Sequence, residues 1–436
     1  MTTATTAQTP RPGSQTTTGA AYETLRERGF FYQCSDEAGL AEALAHGPVT
    51  YYVGFDPTAP SLHIGHLLPV MAMAHLQRAG HRPIALVGGG TTMVGDPTGR
   101  TSARPILTRD EIEANATHIR GQLSHFLDLS PGNGFLVDNA EWLLPLNYIA
   151  FLRDYGRHFS VNEMLRADAY KARLETGLSF LEFNYMLLQA YDFLEAFRRH
   201  GCTLQLGGSD QWSNILAGAD LIRRVEARPA FALTTPLLLT QSGEKMGKTA
   251  GGERVWLDRA QTSPYAYYQF WVNCDDADVE RLLRFFTYLP LDEIRDLVAT
   301  TGEGLREAKR RLAFEATTLL HGQADAEAAR DAARALFGGA DGGQASLDVL
   351  AHAESIPTVP LDASQLQAGL GILDALLLAG LADSKGAARR LVEGGGAAVN
   401  EARAELATVL WPNDLHNGVI IVRAGKKRYV RLAVGG

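Results

Sequence analysis

The side chains with the most explicit chemistry are two histidines and two lysines, His63 and His66 in His63-Ile64-Gly65-His66 and Lys245 and Lys248 in Lys245-Met246-Gly247-Lys248-Thr249. The histidine pair follows a strand-like run, Tyr51 to Phe55, and opens a helix-like one. A helix start offers free N–H groups and the positive end of the helix dipole, so imidazoles placed there can lie under a triphosphate. Gly65 lets the backbone approach it closely. Helix capping and zinc ligation are the other uses of such a pair, and no third ligand cluster for zinc lies nearby in sequence. The lysines straddle Gly247 in a loop preceded by Gly243. As point charges on such a loop they suit a pyrophosphate leaving group whose charge grows in the transition state. Read alone, the same residues also describe a solvated surface loop.

Three more groups of polar residues sit where α/β proteins place ligands. Gly54-Phe55-Asp56-Pro57-Thr58 is a turn that exposes Asp56 at a strand end, where a carboxylate can hold an amine. Gly88-Gly89-Gly90, followed by Gly95-Asp96-Pro97-Thr98-Gly99-Arg100, lacks both the dinucleotide glycine spacing and a P-loop lysine. Its arginines, Arg100 and Arg104, can still reach a triphosphate. Tyr185, Gln189 and Asp192 recur at spacings of four and three on one helix face, so their polar ends can converge. Gln205, Gly207, Gly208, Asp210 and Gln211 follow or end the strand-like run Thr203 to Leu206. The plainer alternative makes Tyr185 a core aromatic and Asp192 a solvated helix carboxylate.

These residues need a scaffold, and the chain supplies an alternating one. Apolar, β-rich runs at Val49 to Phe55, Pro83 to Val87, Gly134 to Val137 and Thr203 to Leu206 alternate with helical patterns, the signature of a Rossmann-like parallel sheet wrapped by helices. The helix after His66 has a wide apolar face from Leu67 to Leu76, with Pro69 expected in its first turn and Gly80 at its stop. From Ser263 to Phe337 the texture becomes Ala-, Leu-, Arg- and Glu-rich and predicts a helical domain. Gly338 to Ala345 and the proline-containing Ile356 to Pro360 read as linker. The remainder predicts a small α+β module, with helices at Leu370 to Leu378 and Lys385 to Glu393 and strands at Ala397 to Val399, Val419 to Val422 and Tyr429 to Leu432.

With 436 residues and 46% hydrophobic content the chain can bury sizeable cores in two or three domains. Residues 1–20 are Thr- and Gly-rich, lack a signal-peptide pattern and predict a disordered tail. No apolar run approaches membrane-spanning length, and Cys34, Cys202 and Cys274 show neither metal spacing nor a disulfide framework, which fits a reducing cytoplasm. The net charge of -8 argues against non-specific coating of nucleic acid, yet from Leu370 onward nine Lys or Arg face six Asp or Glu. A basic module on an acidic body predicts a local polyanion contact.

Taken together, the segments Tyr52 to Thr58, His63 to His66, Gly95-Asp96-Pro97, Phe183-Asn184-Tyr185 with Gln189 to Asp192, Gly207 to Gln211 and Lys245 to Thr249 resemble the bacterial tyrosyl-tRNA synthetases, which are class I aminoacyl-tRNA synthetases. The resemblance runs from about Tyr22 to the C-terminus. It implies that Tyr52 and Asp192 bond the phenol of L-tyrosine, that Asp96, Tyr185 and Gln189 hold its ammonium group, and that Gln211 faces the carboxylate region. It puts Gly54, Asp56, His63, His66, Gly208 and Asp210 around ATP, with Asp210 on the ribose. Lys245, Lys248, Thr249, Arg100 and Arg104 fall on the departing pyrophosphate, and Mg2+ accompanies the nucleotide. Tyrosine-specific synthetases are themselves the reference case for a pocket that rejects a ring lacking the hydroxyl, because its polar groups would be left unpaired. Three positions depart from the common pattern: Pro69 in the helix, Arg100 where a lysine is frequent, and the spelling Met246-Gly247-Lys248-Thr249.

The resemblance divides the chain into the tail, a catalytic domain over 21–245, the lysine loop and a helical anticodon-arm domain over 246–345, a linker over 346–365 and an S4-like RNA-binding domain over 366–436. For that last module the carriers are Leu381 to Val392 and Lys426-Lys427-Arg428. It also implies tRNA(Tyr) as partner and a homodimer joined through the catalytic domains. The rival readings are a tryptophan-specific synthetase, whose indole has no hydroxyl to satisfy Tyr52 and Asp192, a nucleotidyltransferase that uses no tRNA, and a non-catalytic RNA-binding cofactor on a synthetase scaffold.

Overall fold

A computed structural model describes residues 20–240, 243, 246–247, 254–337, 356–400, 402–425 and 428–434. The chain divides into two compact units, Met1–Gly247 and Lys248–Gly436.

The first unit is built on a six-stranded sheet of β1 (Gln33–Cys34), β2 (Thr50–Phe55), β3 (Arg82–Val87), β4 (Phe135–Asp138), β5 (Cys202–Gly208) and β6 (Phe231–Thr235). The order is β1-β6-β5-β2-β3-β4, with every pairing parallel except the short antiparallel edge β1. The four expected strands are all present, and β1 and β6 extend the sheet on one side. Within β2 every residue but Gly54 is buried, as expected for a parallel strand covered by helices on both faces. The chain leaves β2 toward β3 and β4 on one side, while β5 and β6 lie on the other. The carboxyl ends of β2 and β5 therefore flank a topological switch point, where open α/β sheets bind ligands.

The helix after the histidine pair runs Ile64–Arg78, with His63 as its N-cap. Pro69 is the sixth residue of that helix rather than part of its first turn, so the sequence expectation is corrected: the absent N–H would have bonded to the Gly65 carbonyl. Gly80 follows the helix end with φ +94°, a conformation that suits glycine.

His81 ties the start of β2 to that of β3, accepting the Val49 N–H on Nδ1 at 3.1 Å. It is 2% exposed, and burial pushes its pKa down from the usual 6.5 to about 4. Because the folded value lies below the unfolded one, the neutral ring's stabilisation is complete above pH 6.5 and drains away as the pH falls toward 4. Between pH 7 and 5 this single group is expected to cost about 2 kcal/mol. His81→Gln keeps an acceptor for Val49 without titrating. Its denaturant midpoint should therefore fall less steeply over that interval than the parent's, and equal slopes would contradict this role.

In the second unit, helices Pro264–Val272, Val279–Phe286, Leu291–Val298, Glu303–His321 and Gln323–Phe337 form the helical region expected from composition. A five-stranded sheet follows, in the order Ala402–Arg403, Ala397–Val399, Val419–Ala424, Arg428–Val434 and Thr358–Leu361. Its helices are Ile372–Leu378 and Lys385–Glu393. The Ile356 to Pro360 segment expected to be linker instead supplies the parallel edge strand Thr358–Leu361, where Pro360 is tolerated because an edge can spare one donor. Gly338 to Ala345 lies outside the described residues. Tyr265, Ala332, Ile356, Val419 and Ile421 share one apolar cluster, so this helical region and this sheet are packed together.

Candidate active site

Local capping places the histidines. His63 Nδ1 accepts the Gly65 N–H at 3.1 Å, and His66 Nδ1 accepts the His63 N–H at 3.2 Å. The two rings stand 4.0 Å apart. Capping and ligand binding are therefore not rivals here. With each Nδ1 engaged as an acceptor, the neutral tautomer carries its proton on Nε2, the nitrogen suited to meet a phosphate oxygen. A Cβ added to Gly65 would approach the His63 ring at 2.9 Å, so the intervening residue has to be small.

Two described residues of the lysine loop, Met246 and Gly247, lie near that helix start. Met246 N–H donates to the Leu238 carbonyl at 2.7 Å, and a Cβ on Gly247 would lie 3.2 Å from Ile64 Cγ2, against the first residue of the histidine helix. Gly247 has φ +137°, in the region that favours glycine. Lys245, Lys248 and Thr249 lie outside the described residues.

Asp192 sits in the interior of the Tyr185–His200 helix and is 2% exposed, which rules out a solvated carboxylate. Trp142 Nε1 donates to its Oδ1 at 2.7 Å and Asn139 Nδ2 to its Oδ2 at 2.8 Å. Burial pushes its pKa up to about 8, and the two donors pull the other way by favouring the charged form. Tyr52, 1% exposed, is close enough to Asp192 that the carboxylate's charge helps, after burial, to hold the phenol far above its ordinary value. Its hydroxyl lies 3.5 Å from the Gln189 carbonyl. The structure thus brings Tyr52, Gln189 and Asp192 together from β2 and one helix.

Asp96 and Gln211 are joined directly, with Gln211 Nε2 donating to Asp96 Oδ2 at 2.7 Å. Asn214 braces Gln211 by donating to its Oε1 at 3.1 Å, and the Thr98 N–H donates to Asp96 Oδ1 at 2.9 Å. Arg104 Nε reaches the Asp96 carbonyl at 3.1 Å, which keeps this cation on the loop that also carries Arg100. That loop is tethered from behind: the buried pair Arg173 and Glu182 meets at 2.9 Å, and Arg173 also donates to the Thr101 carbonyl at 3.0 Å.

Asp56 extends from the end of β2 and has both oxygens engaged, one by Thr91 at 2.7 Å and the other by the Tyr185 hydroxyl at 2.8 Å. Burial lifts its pKa to about 6. Gly54 is exposed within an otherwise buried strand and no atom lies within 3.7 Å of an added Cβ, so a ligand can approach the backbone there. At the end of β5, a Cβ on Gly208 would meet Asp210 Oδ1 at 2.8 Å, so the glycine leaves room for that carboxylate.

Asn139, Trp142, Thr91 and Asn214 were not among the residues singled out from sequence. One signal was available for Asn139: it follows β4 directly, and polar residues at the carboxyl ends of parallel strands usually meet a ligand or something that does. Among the described residues no group of three or more His, Cys, Asp or Glu side chains is arranged to hold a metal ion, and no helix is long and apolar enough to cross a membrane.

Chemically, one end of this site pairs a buried hydroxyl with a buried carboxylate. Residues 44–338 match the family model described as tRNA synthetases class I (W and Y), and residues 348–432 match the model for the tyrosine–tRNA ligase SYY-like C-terminal domain. The tyrosine–tRNA ligase of Acetivibrio thermocellus is 50% identical over 414 residues, covering 95% of this chain and 99% of that protein. The tyrosine–tRNA ligase of Clostridium tetani is also 50% identical over 414 residues, covering 95% of this chain and 98% of that protein. Among solved structures, a C-terminally truncated mitochondrial tyrosyl-tRNA synthetase of Aspergillus nidulans superposes with a TM-score of 0.66 at 33% identity, covering 73% of this chain and 94% of that one. The chain belongs to the tyrosine–tRNA ligase family of class I aminoacyl-tRNA synthetases.

Proposed function

We propose that the chain activates L-tyrosine with ATP and transfers the tyrosyl group to the 3′-terminal ribose of tRNA(Tyr). The observation that carries the substrate choice is Asp192, a buried carboxylate held by Asn139 and Trp142 beside the Tyr52 hydroxyl. An amino acid with a para hydroxyl satisfies that pair. Phenylalanine or tryptophan would desolvate it without supplying the hydroxyl it is placed to bond.

In the first step the tyrosine carboxylate attacks the α-phosphorus of ATP, a new P–O bond forms, and the bond to the β-phosphate oxygen breaks to release pyrophosphate. No covalent bond to the protein is needed, so the protein's part is positioning and charge stabilisation. Tyr52 and Asp192 orient the ring, Asp96, Tyr185 and Gln189 take the ammonium, and Gln211 lies toward the carboxylate. Gly54, Asp56, Gly208 and Asp210 surround the nucleoside. His63 and His66 donate to the phosphates, while Arg100, Arg104, Lys245, Lys248 and Thr249 receive the pyrophosphate. ATP enters as its Mg2+ complex, with the metal carried on the triphosphate as part of the substrate. The ribose hydroxyl of the tRNA then attacks the adenylate carbonyl and AMP leaves.

The basic C-terminal module, acting as an S4-like RNA-binding domain, and the helical region supply the remaining tRNA contacts, through phosphate and shape as much as base identity. The composition and the cysteine usage fit a cytoplasmic enzyme. Charging of a tRNA(Tyr) transcript with labelled tyrosine, in competition with tRNA(Trp) and tryptophan, tests the whole reading; charging of tRNA(Trp) instead would refute it.

A homodimer completes the reading. Large exposed apolar side chains crowd the segment 136–181, including Tyr148 at 52%, Ile149 at 70%, Val161 at 56% and Phe180 at 71% exposed. Exposed apolar side chains of this size support an association surface in that segment. Phe180→Asp is expected to convert the dimer to monomer in light scattering behind size exclusion at micromolar protein. An unchanged dimer would place the interface elsewhere.

A further inference from the structure

Thr91 lies one residue past the three glycines that follow β3, is 2% exposed, and plays no part in the binding roles described so far. A continuous run of hydrogen bonds passes through it. Tyr185 Oη donates to Asp56 Oδ2 at 2.8 Å, Thr91 Oγ1 donates to Asp56 Oδ1 at 2.7 Å, and Asn139 Nδ2 donates to Thr91 Oγ1 at 2.9 Å and to Asp192 Oδ2 at 2.8 Å.

The proton positions in this run follow from the partners. Gly90 N–H donates to Asn139 Oδ1 at 2.7 Å, which fixes the amide orientation and makes Nδ2 the donor to both other neighbours. The Thr91 oxygen accepts from Asn139, so its single proton goes to Asp56. A carboxylate that takes the Thr91 proton on one oxygen takes the Tyr185 proton on the other. The Tyr185 oxygen then turns its lone pairs outward. Asp56 pairing and the glycine run are linked too, since a Cβ at Gly88 would stand 2.1 Å from Asp56 Oδ1 and 2.5 Å from Thr91 Oγ1. A glycine at 88 is the condition for that bond.

We propose that Thr91 is a positioning residue for amino-acid activation: it holds Asp56 as the acceptor of the Tyr185 phenolic proton, and so presents the Tyr185 oxygen as an acceptor to the ammonium group of the bound tyrosine. This rests on the tyrosine-activating function proposed above. The groups facing Asp56 are Thr91 and Tyr185 through hydrogen bonds, Asp96 and Asp192 as like charges, and Arg104 as the opposing charge. Removing the Thr91 hydroxyl deletes a bond to the charged form, which moves the Asp56 titration further up from about 6.

The test uses full-length protein, Thr91→Val, Thr91→Ser, and tyrosine-dependent ATP–pyrophosphate exchange measured across the range of pH in which Asp56 titrates. The competitor is 3-(4-hydroxyphenyl)propionate, which keeps the phenol and carboxylate and lacks the ammonium. Thr91→Val should raise KM for tyrosine about tenfold, the worth of one hydrogen bond to a charged group. The inhibition constant of the desamino acid should stay unchanged. The acid limb of kcat/KM for tyrosine should move up by roughly one pH unit, and Thr91→Ser should restore both quantities. The proposal is overturned if tyrosine and the desamino acid weaken together, or if kcat falls equally at every pH in both variants, as simple loss of packing would produce. An unaltered protein with no tyrosine-dependent exchange would overturn both this proposal and the function beneath it.

Discussion

Asp192→Asn is expected to lower kcat/KM for tyrosine by about 10²-fold while leaving KM for ATP within about twofold. The size follows from leaving a buried donor unmatched when an asparagine with one acceptor oxygen replaces an acid that accepts on both, worth about 3 kcal/mol. Asparagine has one acceptor oxygen, whereas Asn139 and Trp142 both donate to Asp192, on opposite oxygens. In the variant one of those donors, or the phenol, meets an N–H instead. Discrimination against phenylalanine should shrink in parallel, because the hydrogen bond that the substrate hydroxyl makes with Asp192 is the one the variant weakens. A KM for ATP that rose more than that for tyrosine would move Asp192 out of the ring pocket.

The second large effect is on the phosphate side. His63→Ala should cut kcat for pyrophosphate exchange by about 10²- to 10³-fold, the usual cost of deleting one preorganised donor to transition-state charge, with little change in KM for ATP. The Nδ1 bond to the Gly65 N–H commits His63 to the Nε2–H tautomer, so its donor is set before the nucleotide arrives. Loss of the N-cap carries its own cost of about 1 kcal/mol in stability, which a denaturation curve measures separately. A variant with full kcat and a raised KM would show that His63 binds ground and transition states alike.

Much of this site is legible in the sequence because its parts are local. A strand followed by a helix start, or polar residues at a strand's carboxyl end, are patterns of a few neighbouring residues, and their chemistry does not depend on distant chain. His63, His66, Gly208 and Asp210 are of this kind. Asn139, Trp142 and Thr91 are not: Asn139 meets Asp192 across 53 residues and Trp142 meets it across 50, contacts that only the sheet order creates. The three glycines at 88–90 illustrate the same limit. As a phosphate loop they fit no known spacing, and their purpose appears only when Asp56 and Asn139 are seen pressed against them.

The elements divide in the same way. Long apolar runs marked β2, β3, β4 and β5, whereas β1 is two residues long and carries no periodicity. Thr358–Leu361 was hidden by Pro360, which argues against a central strand but not against a parallel edge. Pro69 was misplaced within its helix by where that helix begins, since the N-cap is His63 itself.

On the proposed function, a buried acid and hydroxyl select a phenol beside a cationic site that draws off pyrophosphate. Amino-acid-dependent ATP–pyrophosphate exchange, run on the full-length protein with each of tyrosine, phenylalanine and tryptophan, tests it most directly. Rapid exchange is expected with tyrosine and none above background with the other two; exchange driven by tryptophan, or by none of the three, would overturn that selection.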